Sequence, residues 1–547
     1  MDFDLPGTET DHSPAFLNAA DCRTWLARLP LANAAHAQPI ISRQLALLHR
    51  FALPPSERFS ILETLRGPLS NVQEIAATGF AGKSLPLAPH EQAVLDATLS
   101  IWHLLALGYL RCFAALCVDE RGMAPSPALL AQRTLSVFAD WQVDLCRGEQ
   151  LPDPNYWKKL HQVFSAAETL GIAAQAVTDP VRHGNVPTSA LAAYAECHLL
   201  CMANPYELAA RHLAWVARWA RRWGAKLTLL KTPPEDIRNR AVPLWVDLES
   251  DRPASYVPRS SQDGRWLETS ELRGSLLARI ALLEQGRAPA DLQLGDDVTQ
   301  PAAGQLLQRV LQRWCKGGTP RRHERHAASG ACRLIAGFAA VHYHLSGRQP
   351  FHPPSRDTAT LRREREQFEV FGVRGHAAAP ASGTKDDSPL EDWQVTDDWY
   401  LLNESATGLR IRRPLGKGAR VGAGLLIAVK TPDSRYFSLG SLRWVVRESG
   451  DSLAAGIHLF PGEAHPAALR SVESGDSRGP WLQGFLLPGA TALDEPASLV
   501  VPAGTFNIER TIEAMVDHQG QVFKLTRILD LGREFERCSM SAADSSR

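Results

Sequence analysis

The sequence WYLLNESATGLRIRR, residues 399–413, places a short polar segment between two runs of residues typical of β-strands. Aromatic and apolar residues from Trp399 to Leu402 precede the segment, and Leu409 and Ile411 follow it among arginines. This pattern predicts that the hexapeptide 403–408, NESATG, is a corner between two strands. In such a corner, Asn and Ser side chains can form hydrogen bonds to the backbone or to a ligand. Gly permits a positive φ, or lets another group come close to the backbone.

A second polar cluster, Arg321-Arg322-His323-Glu324-Arg325, stands just before another strand-like run. The two segments together resemble the bipartite motif of the PilZ domain family, RxxxR followed by [D/N]xSxxG. The matching residues are Arg321, Arg322 as a frequent extra arginine, Arg325, Asn403, Ser405 and Gly408.

The resemblance implies a binding site for the bacterial second messenger cyclic di-GMP, formed by these six residues. Guanidinium groups can bond to phosphate oxygens or to guanine O6 and N7 in bidentate fashion, and they can stack on a base. Asn403 would accept from guanine N–H groups, Ser405 would bond to phosphate or base, and Gly408 would let the backbone approach. No cofactor is expected apart from this ligand, and no metal.

The sequence departs from the family pattern in the distance between the two halves. Arg325 and Asn403 are 78 positions apart, whereas the family usually has a few tens of residues between them. We expect an insertion at about 346–390, with a charged helix around 357–371 and a flexible surface loop around 376–388. The sequence leaves open whether the two halves meet.

The region before the arginines is predicted to be helical. A helix over 204–224 is indicated by Asn204 as N-cap, Pro205 at the first position, Glu207 of a capping box and Gly224 as the stop. One face of this helix is predicted to point into the core, with Leu208, His212, Trp215, Trp219 and Trp223. Further helices are predicted at 40–52, 90–118, 126–147, 155–176, 186–202, 269–285 and 301–316.

After residue 316 the pattern changes to short strands separated by Gly, Pro and Asp. Strands are predicted within 331–345, 421–430, 441–447 and 456–460, which favours a small antiparallel barrel. Their order resembles the PilZ domain. Further strands are predicted at 481–487, 498–502 and 521–531.

The predicted fold class is therefore multidomain α + β, with a large all-α N-terminal region, a PilZ-like antiparallel β-barrel and a β-rich C-terminal extension. The predicted boundaries are 1–35 for a weakly ordered N-terminus, 36–316 for the helical domain and 317–320 for a Gly-Gly hinge. The barrel is predicted at 321–460. Residues 461–547 are predicted to extend it or to form a degenerate second barrel with a disordered tail.

Composition argues against several classes of protein. The 59 basic and 59 acidic residues leave no net charge to attract nucleic acid or an anionic membrane. Nine scattered cysteines and an acidic N-terminus indicate a cytoplasmic protein. The apolar stretch 99–118 carries His103 and Arg111, so we expect a buried helix and no membrane insertion.

Other motifs are incomplete. The segment 79–84, GFAGKS, lacks the first glycine of a phosphate loop and a preceding strand. Cys197, His198 and Cys201 lack a second pair of zinc ligands. Arg218 and Arg222 also have the RxxxR spacing, but a solvated helix face explains them. No catalytic motif is present, so we predict that the protein is not an enzyme.

The resemblance implies an effector that couples cyclic di-GMP binding at the hinge and barrel to a protein partner of the helical domain, in the control of motility, adhesion, biofilm or exopolysaccharide. Two alternatives remain open. The barrel could be a scaffold or adaptor that binds no ligand, or the helical region could hold an enzyme site that sequence spacing does not reveal.

Overall fold

The computed structural model describes residues 3, 5–9, 11–118, 125–234, 241–261, 263–318, 323–354, 396–448, 450–472, 479–516 and 519–542. These residues fall into two compact units. The first comprises residues 1–322 with 446–450, and the second comprises residues 323–445 with 451–547. The predicted helix at 357–371 and the predicted loop at 376–388 lie outside the described residues.

The first unit is mainly helical, as predicted. Its helices are α1 (Ala19–Leu26), α2 (Ala34–Arg50), α3 (Pro55–Ala77), α4 (Pro89–Val118), α5 (Pro127–Arg147), α6 (Pro154–Thr169), α7 (Pro180–His183), α8 (Ala190–Met202), α9 (Ala210–Trp223), α10 (Ser270–Glu284) and α11 (Ala302–Cys315). Their apolar faces share one core. The 23-residue helix α3 was not predicted, because Gly67 and Pro68 interrupt its sequence as a turn would.

Two features of this unit add to the prediction. The described part of residues 1–35, predicted to be weakly ordered, includes α1, which is capped by Asn18 and buries Cys22 and Leu26, and Phe16 is also buried. The helical unit also includes short strands. It contains a two-stranded sheet of β1 (Val177–Thr178) and β2 (Pro187–Thr188), and a three-stranded sheet of β3 (Thr228–Leu230), β5 (Gly264–Glu268) and β4 (Leu244–Asp247), in that order.

Helix α9 carries the predicted tryptophan face. Trp215, Trp219 and Trp223 are each at most 1% exposed, so the prediction of a core-facing row is confirmed. The start of the helix differs from the prediction. Asn204 has a left-handed backbone conformation and precedes a short 3₁₀ turn, and the α-helix begins at Ala210.

Helix α4 crosses the core of the same unit. In the part of the chain that the structure describes, the stretch Pro89–Ala115 is the one helix long and apolar enough to span a membrane by length and composition. Within the protein, 61% of its most apolar window is buried. This burial agrees with the prediction of a buried helix, because a helix that is apolar on all sides is typical of a protein core as well as of a membrane.

A buried ion cluster joins α3, α5 and the start of α7. Arg66 donates two hydrogen bonds to the Asp179 carboxylate, at 2.8 and 2.6 Å, and both side chains are at most 2% exposed. Gln132 donates a third bond at 3.0 Å, and an Arg133 nitrogen lies 3.6 Å away. The carboxylate is therefore surrounded by donors, as a buried charge requires.

The described half of the predicted Gly-Gly hinge ends α11. Gly317 and Gly318 both have φ of +79°, a conformation that Gly adopts without strain. The Gly318 N–H donates to the Gln312 carbonyl at 3.1 Å and so satisfies one carbonyl at the end of the helix. The other half of the hinge, 319–320, lies outside the described residues.

The second unit contains two closed six-stranded antiparallel barrels. The strands of the first are β6 (His326–Ala336), β7 (Asp397–Ser405), β8 (Gly408–Pro414), β9 (Leu426–Lys430), β10 (Ser438–Glu448) and β11 (Ser452–Leu459), in the order β10-β11-β8-β7-β6-β9. The barrel after the arginines is thus as predicted. The predicted strand 331–345 is half wrong, because Gly337 ends β6 and Phe338–Leu345 forms helix α12.

The second barrel follows directly along the chain. Its strands are β12 (His465–Val472), β13 (Leu482–Leu487), β14 (Ser498–Pro502), β15 (Thr511–Val516), β16 (Gln519–Leu531) and β17 (Phe535–Ala542), in the order β12-β13-β14-β17-β16-β15. The three strands predicted here correspond to β13, β14 and β16. Since all six strands close, the extension is a complete barrel.

One apolar cluster connects the two barrels. Ile335 and Leu426 of the first barrel, Val341 of α12, and Phe485 and Phe535 of the second barrel are buried together. Each barrel thus covers apolar surface of the other, and we expect the two to unfold together.

Replacing Gly440 on β10 with Ala is expected to destabilise the first barrel by about 1–3 kcal/mol, because overpacking forces backbone shifts. A Cβ at this position would lie 2.4 Å from the His458 carbonyl oxygen on β11. Thermal unfolding of the full chain measures the effect. The control is Gly416→Ala in the β8–β9 connection, where a Cβ would meet no atom within 4 Å; equal melting temperatures for the two variants would contradict the prediction.

Candidate functional site

The register of β6 against β7 places the end of the arginine segment beside the polar corner. In this antiparallel pair, His326 lies opposite Glu404 and Ala327 lies opposite Asn403. The separation of 78 positions along the chain does not keep the two halves of the motif apart, because both ends return to adjacent strands. Arg325, which directly precedes β6, is therefore next to the start of the corner.

Arg325 makes the contact that joins the two halves. Its Nη1 donates to the Asn403 Oδ1 at 3.5 Å, and a Cβ at Gly408 would lie 3.9 Å from its Nη2. Arg325, Asn403, Ser405 and Gly408 thus form one cluster, which we call the barrel-edge site. Arg321 and Arg322 lie outside the described residues, so the structure does not place the other two predicted arginines.

Residues 403–408 form a turn between two strands, β7 and β8, as the sequence predicted. Ser405 ends β7, Gly408 begins β8, and the two are the last paired residues of the hairpin. The Ser405 hydroxyl donates to the Gly408 carbonyl at 3.2 Å, which leaves its oxygen able to accept. The Leu459 N–H donates to the Thr407 carbonyl at 3.0 Å and so ties the corner to β11.

Gly408 lies in a confined position, and its φ is not in the left-handed region. A Cβ there would lie 3.2 Å from the Ile457 carbonyl oxygen and 3.4 Å from the Ser405 Oγ. The sequence predicted either a positive φ or the close approach of another group at this glycine, and the structure shows the close approach of the Ile457 carbonyl.

Arg410 is a further basic residue at the site that the motif does not include. It pairs with Asn403 across β7 and β8, and directly opposed residues of an antiparallel pair share one face of the sheet. Its Cζ lies 6.0 Å from the centre of the Trp444 ring. Its position two residues after Gly408, at the strand period, is the sequence signal that could have revealed it.

His458 borders the corner from β11, where it pairs with Gly408. Burial, together with the nearby Arg443 charge, holds the pKa of His458 below its ordinary value despite the Asp530 carboxylate. The imidazole is therefore neutral near pH 7. The positive charge at this site comes from arginine.

The other motifs occupy structural positions. His198 is fully buried, stacks on Trp157 with 5.3 Å between ring centres, and accepts a hydrogen bond from the Ala254 N–H at 3.1 Å. Among the described residues, no group of three or more His, Cys, Asp or Glu is placed to hold a metal ion. The segment 79–84 connects α3 to α4, with Gly82 at φ of +69°.

A closed six-stranded barrel with an arginine before its first strand and the Asn-x-Ser-x-x-Gly corner beside that arginine defines a PilZ domain. The chain contains a PilZ domain. Three family models match it in order: the N-terminal domain of "Cyclic-di-GMP receptor FimW" over residues 20–235, the middle PilZ domain of that receptor over 244–400, and the FimW C-terminal β-barrel domain over 467–542.

The chain is also similar over nearly its whole length to a curated protein, the Cyclic-di-GMP receptor FimW of Pseudomonas aeruginosa. The two are 23% identical over 537 residues, which cover 90% of this chain and 86% of that protein. The helical region, which resembled no family in the sequence, thus corresponds to a named N-terminal domain. The middle-domain match begins at residue 244, whereas the predicted PilZ boundary is at 321, and it ends before Asn403.

Proposed function

We propose that this protein is a receptor for cyclic di-GMP, and that the barrel-edge site binds the nucleotide. The observation that carries the proposal is the contact of Arg325 with Asn403 beside Ser405 and Gly408, which assembles residues from both motif halves. The similarity to a protein named as a cyclic di-GMP receptor supports the same ligand.

The chemistry of the site suits a compact dianion that carries two guanines. Arg325 and Arg410 offer planar guanidinium groups for phosphate or for the guanine O6/N7 edge. Asn403 offers an amide that can pair with a guanine edge, and the Ser405 oxygen can accept from it. Arg321 and Arg322 would complete the arginine set from the connecting segment.

We further propose that binding acts on a protein partner through the helical unit. A ligand held by Arg321, Arg322 and Arg325 would bind the segment that follows α11 and so favour one conformation of that segment. The ligand can shift the equilibrium between two conformations of this segment only as far as its affinities for the two conformations differ. The proposed receptor is cytoplasmic, is a binding protein and not an enzyme, and acts in motility, adhesion, biofilm or exopolysaccharide control.

Calorimetric titration of the full chain with cyclic di-GMP tests the ligand. We expect saturable binding of cyclic di-GMP. We expect no binding of GTP at the same concentrations, because GTP carries one guanine and cannot contact the arginine segment and the strand corner with a guanine each. No heat with cyclic di-GMP, together with an unchanged melting temperature at high ligand, would contradict the receptor function and favour a PilZ scaffold that binds no nucleotide.

A further inference from the structure

The helical unit contains a cavity of about 860 Å³ that the PilZ site does not involve. It lies between α9, α10 and the segment 290–296, with Arg182 and His183 of α7 at one side. Its volume is in the range of small-molecule binding sites. The polar lining is dominated by basic side chains.

The segment that forms one wall is fixed by the tryptophan row of α9. The Trp215 Nε1–H donates to the Asp297 carboxylate at 2.8 Å, and the Trp219 Nε1–H donates to the Leu294 carbonyl at 2.9 Å. Trp223 lines the cavity one turn further along and is 1% exposed. Within the described parts of the chain, its buried Nε1–H has no acceptor. The row thus includes one residue of the cavity lining whose N–H donor is unused.

Two arginines at the same wall have no acidic partner among the described residues. Arg222 donates to the Gln293 backbone carbonyl at 3.2 Å and also to the Gln293 side-chain oxygen. Arg279 donates to the Leu292 carbonyl at 3.2 Å and to the Ser275 carbonyl and hydroxyl, and its Cζ lies 5.4 Å from the centre of the Trp223 ring. No described carboxylate lies within ion-pair distance of either guanidinium. Burial, and after it the neighbouring Arg222 charge, lower the pKa of Arg279.

A third arginine of the cavity lining, Arg182, also has an unused donor. The Arg182 side chain is 2% exposed and pairs with Asp140 and Glu196 at 3.1 and 2.8 Å. Its Nη1 is buried and has no partner among the residues that the structure describes. Two residues of the cavity lining, Arg182 and Trp223, are therefore almost fully buried, and each has one donor without a partner among the described residues.

We infer that this cavity binds a small phosphate-bearing ligand. Six arginine and lysine side chains line the cavity alongside one aspartate, Asp296. An anion with several acceptor oxygens can bond to such guanidinium groups and can also satisfy buried N–H donors. A phosphate group has the geometry for two guanidinium forks at once, with the Trp223 N–H as a further donor. The Trp219 and Trp223 rings are buried and Arg279 covers one of them, so recognition rests on the charged group and not on base stacking.

Titration of the full chain with inorganic pyrophosphate at low ionic strength tests the inference. We expect saturable binding that Arg222→Gln and Arg279→Gln each weaken about tenfold or more, because each removes a charge-assisted contact. Arg222 is exposed on the surface of α9, so Arg222→Gln should fold normally even if Arg279→Gln does not. Arg287→Gln, an exposed arginine outside the cavity, is the matched control and should bind as the unmodified protein does.

The Arg325→Ala variant distinguishes binding in this cavity from binding at the barrel-edge site. It should leave the affinity for pyrophosphate unchanged. No binding of pyrophosphate, or binding that Arg325→Ala abolishes and Arg222→Gln does not affect, would overturn the inference.

Discussion

Replacing Arg325 with Ala is expected to weaken cyclic di-GMP binding roughly 10- to 100-fold, since a hydrogen bond to a charged group is worth about 1.5–3 kcal/mol and a bidentate contact forms two. Arg325 is the described residue that links both halves of the motif through its contact with Asn403. Calorimetric titration measures the loss. Adding Arg321→Ala is expected to remove measurable binding.

The fold should not change in this variant. Arg325 precedes β6 and lies outside the apolar clusters of both barrels, so the melting temperature of the ligand-free protein should stay the same. Arg527→Ala is the matched control, because Arg527 is an exposed arginine on β16 of the second barrel. An Arg325→Ala variant that binds as tightly as Arg527→Ala would show that the nucleotide does not use the barrel-edge site.

Asp179→Ala is expected to lower the free energy of unfolding of the helical unit by about 3–5 kcal/mol, the usual effect of removing one partner of a buried ion pair. The change would leave Arg66, and beside it Arg133, buried without their shared anion. Urea unfolding followed by tryptophan fluorescence reports mainly on this unit, which holds the tryptophan row of α9.

The control for this variant is Glu74→Ala, which removes the partner of Arg147 in a pair where Glu74 is 68% exposed. Solvent screens such a pair, so we expect a loss below about 1 kcal/mol. Equal losses for the two variants would contradict the buried ion cluster.

The effect of Asp179 should also depend on pH. Burial alone would raise the pKa of this carboxyl, but the hydrogen bonds and charge of Arg66, with Arg133, hold it well below its usual range. A folded-state pKa below the unfolded value of about 3.9 stabilises the protein above that pH, and the stabilisation is lost as the pH falls toward the folded value. The difference between the unmodified protein and Asp179→Ala should therefore be constant above about pH 5 and shrink in stronger acid.

The sequence predicted those features of the structure that depend only on residues close to each other along the chain. The corner at Ser405 follows from polar residues between two strand-like runs, and the core face of α9 follows from tryptophans at spacings of four. Both depend only on neighbours along the chain, and both are present in the structure.

Features that depend on distant residues were not accessible in this way. The pairing of Ala327 with Asn403 is set by sheet register across the insertion, which no local pattern encodes. Helix α12 was predicted as strand, because a short apolar run has no period that separates a buried helix from a buried strand. Arg66 lies in a helix that was not predicted, and its partner Asp179 is 113 positions away.

Hydrogen–deuterium exchange of the full chain with and without cyclic di-GMP tests the central claim most directly, because it reports where the nucleotide binds. We predict that saturating ligand slows exchange in peptides covering 323–327 and 403–410, and that Arg325→Ala removes this protection at the same ligand concentration. Saturable binding with unchanged exchange in both segments would contradict the barrel-edge site.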